Sequence, residues 1–285
     1  MSSTRSTQRS TSERAQQAFS ETVDPAAYVS RDATEEILAR LQAWTRADGD
    51  ESTVAALVAS PGLGKTFLLR LFESRFGRPM AGAEGLPRTL YLPYAGLSII
   101  DLCVWIHGLL GRGIRLPETG ANSGAALEAL CALAPDAQNP FILLVDDADS
   151  MPQETIRALV EGLPRTLSPL RLLIALNDDA KASRLLASLD TFRPLLLPLG
   201  PPMSEAETAR YLAGRMRWAA FDAEEIARWN PAVLRKIHGL SGGVPRQVHR
   251  IAASIFEARA KGRPLELDQK DRRENWMGQP IEDEF

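Results

Sequence analysis

Val54-Ala-Ala-Leu-Val58, then Ala59-Ser-Pro-Gly-Leu-Gly-Lys-Thr66, then Phe67-Leu-Leu-Arg-Leu-Phe-Glu-Ser-Arg-Phe76: this stretch decides how the chain folds. The first five residues are continuously apolar and predict a buried strand. In the last segment Leu68, Leu71, Phe72 and Phe76 are apolar while Arg70 and Glu73 are charged, which gives a helix over Thr66–Phe76. Between them lies a tight, glycine-containing turn. Glycines let successive backbone N–H groups turn inward and form a cradle for an anion. The residues of that cradle are Pro61, Gly62, Leu63, Gly64, Lys65 and Thr66. Lys65 would bring a point charge to β- and γ-phosphates, and Thr66 a hydroxyl to Mg²⁺. The helix that follows adds the positive end of its dipole.

A second stretch matches the first. Phe141-Ile-Leu-Leu-Val145 reads as a central strand of a parallel sheet, and it runs into Asp146-Asp147-Ala148-Asp149. A carboxylate at the end of a buried strand beside a phosphate loop can hold the shell of a magnesium ion, the role expected of Asp146. Asp147 is expected to polarise an attacking water. Asp149 either caps the next helix with Ser150, the favoured reading, or adds to the site. A further strand, Leu170–Leu176, ends at Asn177, whose amide both donates and accepts and can orient water near the γ-phosphate.

Around these motifs, apolar runs alternate with helical patterns. Thr89–Tyr94 and Leu195–Leu199 are the remaining strand candidates. Leu97–Leu110, Ala125–Leu133 and Thr155–Leu163 have helical period, with a loop over Gly111–Gly120. The rhythm predicts an α/β fold, a parallel sheet with helices on both faces, over residues 21–201. From Ser204 the strands stop. Ser204-Glu-Ala-Glu207 has the spacing of a capping box, and helical patterns continue over Ser204–Met216, Ala223–Trp229, Pro231–Leu240 and Pro245–Lys261. An all-helical lid is therefore expected at 202–275. Gly243 and Pro245 fix the entry of its last helix and place Arg246 in the first turn, where a guanidinium can answer a phosphate.

The ends read differently. Residues 1–20, rich in Ser, Thr, Gln and Arg (Arg5, Arg9, Arg14), are expected to form a disordered tail. Residues 276–285 form an acidic tail ending in Phe285.

Composition limits the alternatives. Lysine plus arginine number 33 against 36 acidic residues, a net charge of −3, which argues against general coating of nucleic acid. The apolar fraction is 45% and the charged fraction 24%, so a core can form and the chain is not wholly disordered. Cys103 and Cys131 are the only cysteines and are expected as buried free thiols. His107, His238 and His249 make no metal-ligand spacing. No run reaches the roughly 18 apolar residues of a membrane span, and no secretory signal opens the chain. A cytoplasmic setting without membrane insertion is expected.

Taken in order, Ala59–Thr66, Phe141–Asp147, Asn177 and Gly243–Arg246 resemble the Walker A, Walker B, sensor 1 and sensor 2 motifs of an AAA+ ATPase. The resemblance spans about residues 25–272. It implies a P-loop αβα core with a C-terminal helical lid, ATP and Mg²⁺ as ligands, and ATP hydrolysis. It further implies an adenine pocket built near Tyr28 and Val29, ahead of a helix from Thr34. A neighbouring subunit's arginine would complete each site, and Arg193 and Arg184 are both candidates. Two positions depart from the family pattern. Ala59 stands where a first glycine is usual, and Asp147 stands where a glutamate is usual. Aspartate is one methylene shorter, so hydrolysis is expected to be slow.

At a finer level, Pro198-Leu199, Glu205, Glu207-Thr208, Tyr211-Leu212 and Leu240–Arg246 are similar to ExeA/GspA-type ATPases of secretion and pilus systems. The transposition regulators TnsC, TniB and MuB share much of the layout. Two functions follow from the resemblance. One is a switch that forms a homo-oligomeric ring or filament with ATP and recruits or remodels a client protein. The other is an assembly on duplex DNA that recruits a transposase, with Arg112, Arg115, Arg272 and Arg273 as candidate phosphate contacts. A nucleotide-binding scaffold without hydrolysis is a third reading.

Overall fold

A computed structural model describes residues 10–46, 52–77, 88–93, 95–111, 123–133, 140–161 and 170–261. These fall into two compact units. One comprises residues 22–201; the other joins the chain up to residue 21 to the chain from residue 202.

The first unit is built on five strands, β1 (Val54–Ala59), β2 (Thr89–Leu92), β3 (Phe141–Val145), β4 (Leu170–Asn177) and β5 (Leu195–Pro198). They lie in the order β2-β3-β4-β1-β5, and every pairing is parallel. Parallel sheets need both faces covered, and the apolar runs provide for it. Alternate residues of each strand serve opposite faces. Val54, Ala56, Phe141, Leu143, Leu172 and Ile174 face one core; Ala55, Leu57, Ile142, Leu144, Leu173 and Ala175 face the other.

Helices seal each face. α2 (Asp32–Thr45) brings Ile37, Leu38, Leu41 and Trp44, and α3 (Lys65–Phe76) brings Leu68, Leu69, Leu71 and Phe72, to the second core. Four helices cover the first: α4 (Ile99–Leu109), α5 (Ser123–Cys131), α6 (Gln153–Glu161) and α7 (Ala180–Leu189). Cys103 and Cys131 are both free, and burial pushes both thiols up. Only Cys103 is fully buried; Cys131 is half-buried, so the expectation of two buried thiols is corrected at that position. Among the described residues no helix is long and apolar enough to cross a membrane.

The second unit is helical: α1 (Thr11–Phe19), α8 (Glu205–Trp218), α9 (Ala223–Ala227), α10 (Pro231–Ser241) and α11 (Pro245–Ala260). Helix α1 corrects the expectation of a disordered tail over its described part; residues 1–9, with Arg5 and Arg9, lie outside the described residues. Ala15, Ala18 and Phe19 are buried in the core of this unit, with Phe19 ring against Trp229 at 5.3 Å. A reading by composition counts few apolar residues here but misses that three of them share one face. Arg215, 2% exposed, closes the far end of α1: its guanidinium donates to the carbonyls of Ala18 (3.0 Å), Gln17 (3.3 Å) and Ser20 (3.0 Å). Those are the carbonyls that a helix C-terminus leaves unpaired. Arg14 grips Glu225 through two 2.7 Å hydrogen bonds.

The expected capping box forms. Ser204 Oγ accepts from the Glu207 amide at 3.2 Å, and Glu207 accepts from the Ser204 amide at 2.8 Å. The Gly242–Gly243 turn between α10 and α11 is backed by the Met203 amide, which donates to the Gly243 carbonyl at 2.9 Å. Gly243 has φ +72°, and a Cβ there would collide with the backbone of Met203. Gly243→Ala is expected to cost about 3 kcal/mol, read as a lower unfolding midpoint in denaturant.

His249 in α11 is 6% exposed and shares a 2.8 Å hydrogen bond between its Nε2 and the Tyr211 hydroxyl. Burial, reinforced by the charge of Arg215, lowers its pKa from 6.5 to about 4. A lowered folded pKa means that the unfolded chain takes the proton first. Stability should therefore be highest above pH 6.5, fall between pH 6.5 and about 4, and level off below. The loss attributable to this residue is about 3 kcal/mol. Urea titrations of the wild type and His249→Gln at pH 7 and pH 4.5 check this: the variant should lose less stability on acidification.

Candidate functional site

All five strands end at the same edge of the sheet, and the residues singled out in the sequence sit at those ends. The register pairs Ala59, the last residue of β1, with Asn177, the last of β4. The loop leaving β1 turns at Gly62 (φ +85°) and Gly64 (φ +100°), then enters α3 directly at Lys65. Its first turn exposes amides that no intrahelical carbonyl can satisfy. Around Gly64 a Cβ would meet no atom within 4 Å, so backbone conformation alone demands glycine there. Ala59 in place of a glycine is accommodated, because that residue is still in the strand.

Lys65 is buried, 7% exposed. Its Nζ donates to the Ala59 carbonyl at 2.9 Å and to Asn177 Oδ1 at 2.8 Å. A buried ammonium requires such acceptors. The structure thus joins the lysine at the start of α3 to the polar tip of β4. Because Lys65 can only donate, the bond orients the Asn177 amide: Oδ1 faces the lysine and Nδ2 faces away. Nδ2 lies 3.5 Å from Asp149 Oδ2, a long contact, while Asp149 Oδ1 is buried without a hydrogen-bond partner. Of the two readings of Asp149, the favoured one as a helix cap is corrected. The residue lies within the 3-10 turn Ala148–Ser150, before α6 begins at Gln153, and its carboxylate faces Asn177 rather than capping a helix.

Asp146 follows β3 and is 5% exposed. Oδ1 accepts from the Asp147 amide at 3.1 Å, and Oδ2 accepts from the Tyr91 hydroxyl at 2.8 Å. Tyr91 comes from β2, and the Arg70 guanidinium of α3 lies 3.5 Å over its ring. Burial and the neighbouring carboxylate push the Tyr91 hydroxyl well up, so it stays a donor. Neither Tyr91 nor Arg70 carries a motif that would mark it in the sequence. Asp147 is exposed and left-handed, with φ +45° and ψ +46°. Aspartate tolerates that region better than most side chains.

Tyr28 and Val29 are half-buried just before α2. The Tyr28 ring stacks on Phe67 of α3, centroids 6.1 Å apart, and Arg75 lies 5.1 Å above it. Arg75 is paired with Glu35 at 3.0 Å. An aromatic wall thus stands beside the helix that carries the loop. Arg193 is exposed, with φ +48°; Arg184 is exposed on α7 and donates to the Ala180 carbonyl of its own helix at 3.1 Å. Arg246, in the helical unit, pairs with Glu21 at 2.9 Å. Arg112, Arg115, Arg272, Arg273 and the acidic tail over 276–285 lie outside the described residues.

The residues fit a nucleotide phosphate and a hard cation. The loop presents two positive-φ glycines, an ammonium and a helix N-terminus; Thr66 and Asp146 offer oxygen donors. Among the described residues no group of three or more His, Cys, Asp and Glu could hold a metal. Magnesium in phosphate sites needs no such cage, since one or two protein oxygens are completed by phosphate and water.

No family model matches the sequence, and no curated protein matches it. Solved structures do. The Walker-type ATPase of Pyrococcus abyssi superposes with a TM-score of 0.58 at 13% identity, over 92% of this chain and 77% of that one. Cdc6p from Pyrobaculum aerophilum gives 0.58 at 19% identity, over 87% and 67%. This chain has the fold of a P-loop ATPase of the AAA+ kind. The Aeropyrum pernix ORC2 protein, solved as ADPNP–ADP complexes, gives 0.55 at 19% identity, over 87% and 67%.

Gly64→Ala is expected to cost about 1–2 kcal/mol, because its φ of +100° is strained for any side chain although space is open. Thermal unfolding checks it: the midpoint should fall, whereas Gly108→Ala, at a helical position with equal room, should not lower it.

Proposed function

We propose that this chain is an ATP-binding switch that hydrolyses ATP slowly with Mg²⁺. The observation that carries the reading is the meeting of Lys65 with Asn177, beneath a loop whose glycines and following helix form a phosphate cradle. The fold, shared with a Walker-type ATPase and with an ORC2 protein solved as ADPNP–ADP complexes, supports it.

In this reading Gly62, Gly64 and the loop amides, with Pro61 and Leu63 between them, hold the phosphates. Lys65 exchanges its bonds to Ala59 and Asn177 for phosphate oxygens. The adenine lies by Tyr28 and Val29. Thr66 and Asp146 hold the magnesium, which when bound neutralises charge on the transferring phosphoryl group. Asn177, released by the lysine, orients the attacking water, and Asp147 takes its proton. The shorter reach of Asp147 makes turnover slow, below about 1 s⁻¹ against a median near 10 s⁻¹ for enzymes. Arg246 belongs to the helical unit and enters the proposal only through the resemblance of Gly243–Arg246 to sensor 2. Likewise, Arg193 enters as the arginine supplied to a neighbouring copy in a ring or filament, and a client protein would be recruited by that assembly.

Binding of a fluorescent ATP analogue tests the core of the reading. Wild type should bind it, Lys65→Ala should lose at least about tenfold in affinity, and Asp146→Ala should abolish magnesium-dependent turnover while remaining folded. A wild type that binds no adenine nucleotide sinks the proposal. Electron microscopy with Mg²⁺ and a non-hydrolysable analogue, with and without duplex DNA, tests the assembly: a monomer in every condition removes the switch by oligomerisation.

A further inference from the structure

Asp146 stands at the end of β3 almost without exposure, and a buried carboxylate costs several kcal/mol unless donors meet it. One donor is local: the Asp147 amide on Oδ1. The other comes from a different strand. Tyr91 of β2 is paired in register with Leu144 of β3, two residues before Asp146, so both side chains stand on the same face of the sheet. That diagonal brings the Tyr91 hydroxyl to 2.8 Å from Oδ2. The ring is held in turn. Arg70 covers it at 3.5 Å, and Glu73, one turn along α3, holds Arg70 at 2.8 Å. A phenylalanine would fill the same volume and keep the cation–π contact. The hydroxyl therefore adds one thing, a fixed donor to one oxygen of Asp146.

We propose that Tyr91 is the positioning residue of the Asp146 carboxylate, setting the orientation in which Asp146 meets magnesium and tying it, through Arg70, to the helix that carries Lys65 and Thr66. The inference rests on the reading of Asp146 as the magnesium carboxylate. With Oδ2 engaged by Tyr91 and Oδ1 by the Asp147 amide, the carboxylate cannot swing; each oxygen keeps a further lone pair for a metal-bound water. Partners of this outer kind typically govern metal affinity by 10–100-fold. The chain Glu73–Arg70–Tyr91–Asp146 also lets α3 and β3 respond together when the phosphate loop is filled.

The test uses the full chain and the variants Tyr91→Phe, Asp146→Asn and the pair together. Binding of a fluorescent ADP analogue is titrated with Mg²⁺ and repeated in EDTA, and thermal unfolding verifies that each variant is folded. Tyr91→Phe should need about tenfold more Mg²⁺ for its half-maximal effect, with binding in EDTA unchanged. In the Asp146→Asn background the same change should add nothing further. A wild-type Mg²⁺ midpoint in folded Tyr91→Phe, with Asp146→Asn shifted, overturns the role of Tyr91 alone. Additive shifts in the pair overturn it as well. An Asp146→Asn protein with wild-type Mg²⁺ dependence removes the assignment of Asp146 and this inference with it. Should Tyr91→Phe not fold, Arg70→Gln, which frees the ring but keeps the hydroxyl, is expected to shift the Mg²⁺ midpoint in the same direction, and an unchanged midpoint overturns the proposal.

Discussion

Parallel pairing of β1 with β4, in the register that sets Ala59 beside Asn177, is the constraint on which the site depends. It places a strand-end carbonyl and an amide oxygen close enough for one ammonium, that of Lys65, to reach both. A slip of one residue would turn every side chain of a strand to the opposite face and undo both cores. The register is therefore defended by all the apolar residues of the sheet, and the polar contacts at its edge inherit that rigidity.

The same logic extends to β3 and β2. Their register sets Tyr91 opposite Leu144, from which Asp146 receives a donor that its own segment does not supply. Three neighbouring strand ends thus carry an amide, a carboxylate and a glycine turn, and α3 links them: Lys65 at its start reaches Asn177, and Arg70, five residues on, covers Tyr91. Rigid elements hold the polar atoms, while the loop between them is left to glycines. This division keeps the polar atoms preorganised at the edge of the sheet. The helical unit follows a separate rule. Its first helix is taken from the opposite end of the chain and anchored by a buried arginine against that helix's last carbonyls.

Much of this was legible along the chain. The strand–turn–helix over Val54–Phe76, the apolar run into Asp146, and the strand ending at Asn177 are all local patterns, set by periodicity and by glycine. The capping box at Ser204 is local too. Helix α1 was not legible, because its few apolar residues, Ala15, Ala18 and Phe19, gain their meaning only from Trp229 and the core around it. Asp149 was left between two readings, with the cap favoured, for a related reason. An aspartate before a helix looks like a cap, and only the approach of β4 shows that its carboxylate faces Asn177.

The sequence by itself determined the order of the strands and of the helices among and after them, the parallel α/β core, the helical part that follows, and the glycine turn with its lysine. These are legible because hydrophobic period, strand–helix alternation and glycine placement are patterns along the chain. Tertiary structure decided which side chains share the site: Lys65 with Asn177, Tyr91 with Asp146, Arg70 over Tyr91, and α1 with the helical unit. Each of those pairs except Arg70 over Tyr91 joins residues more than fifty positions apart, and all depend on strand register or helix packing, which no local pattern encodes.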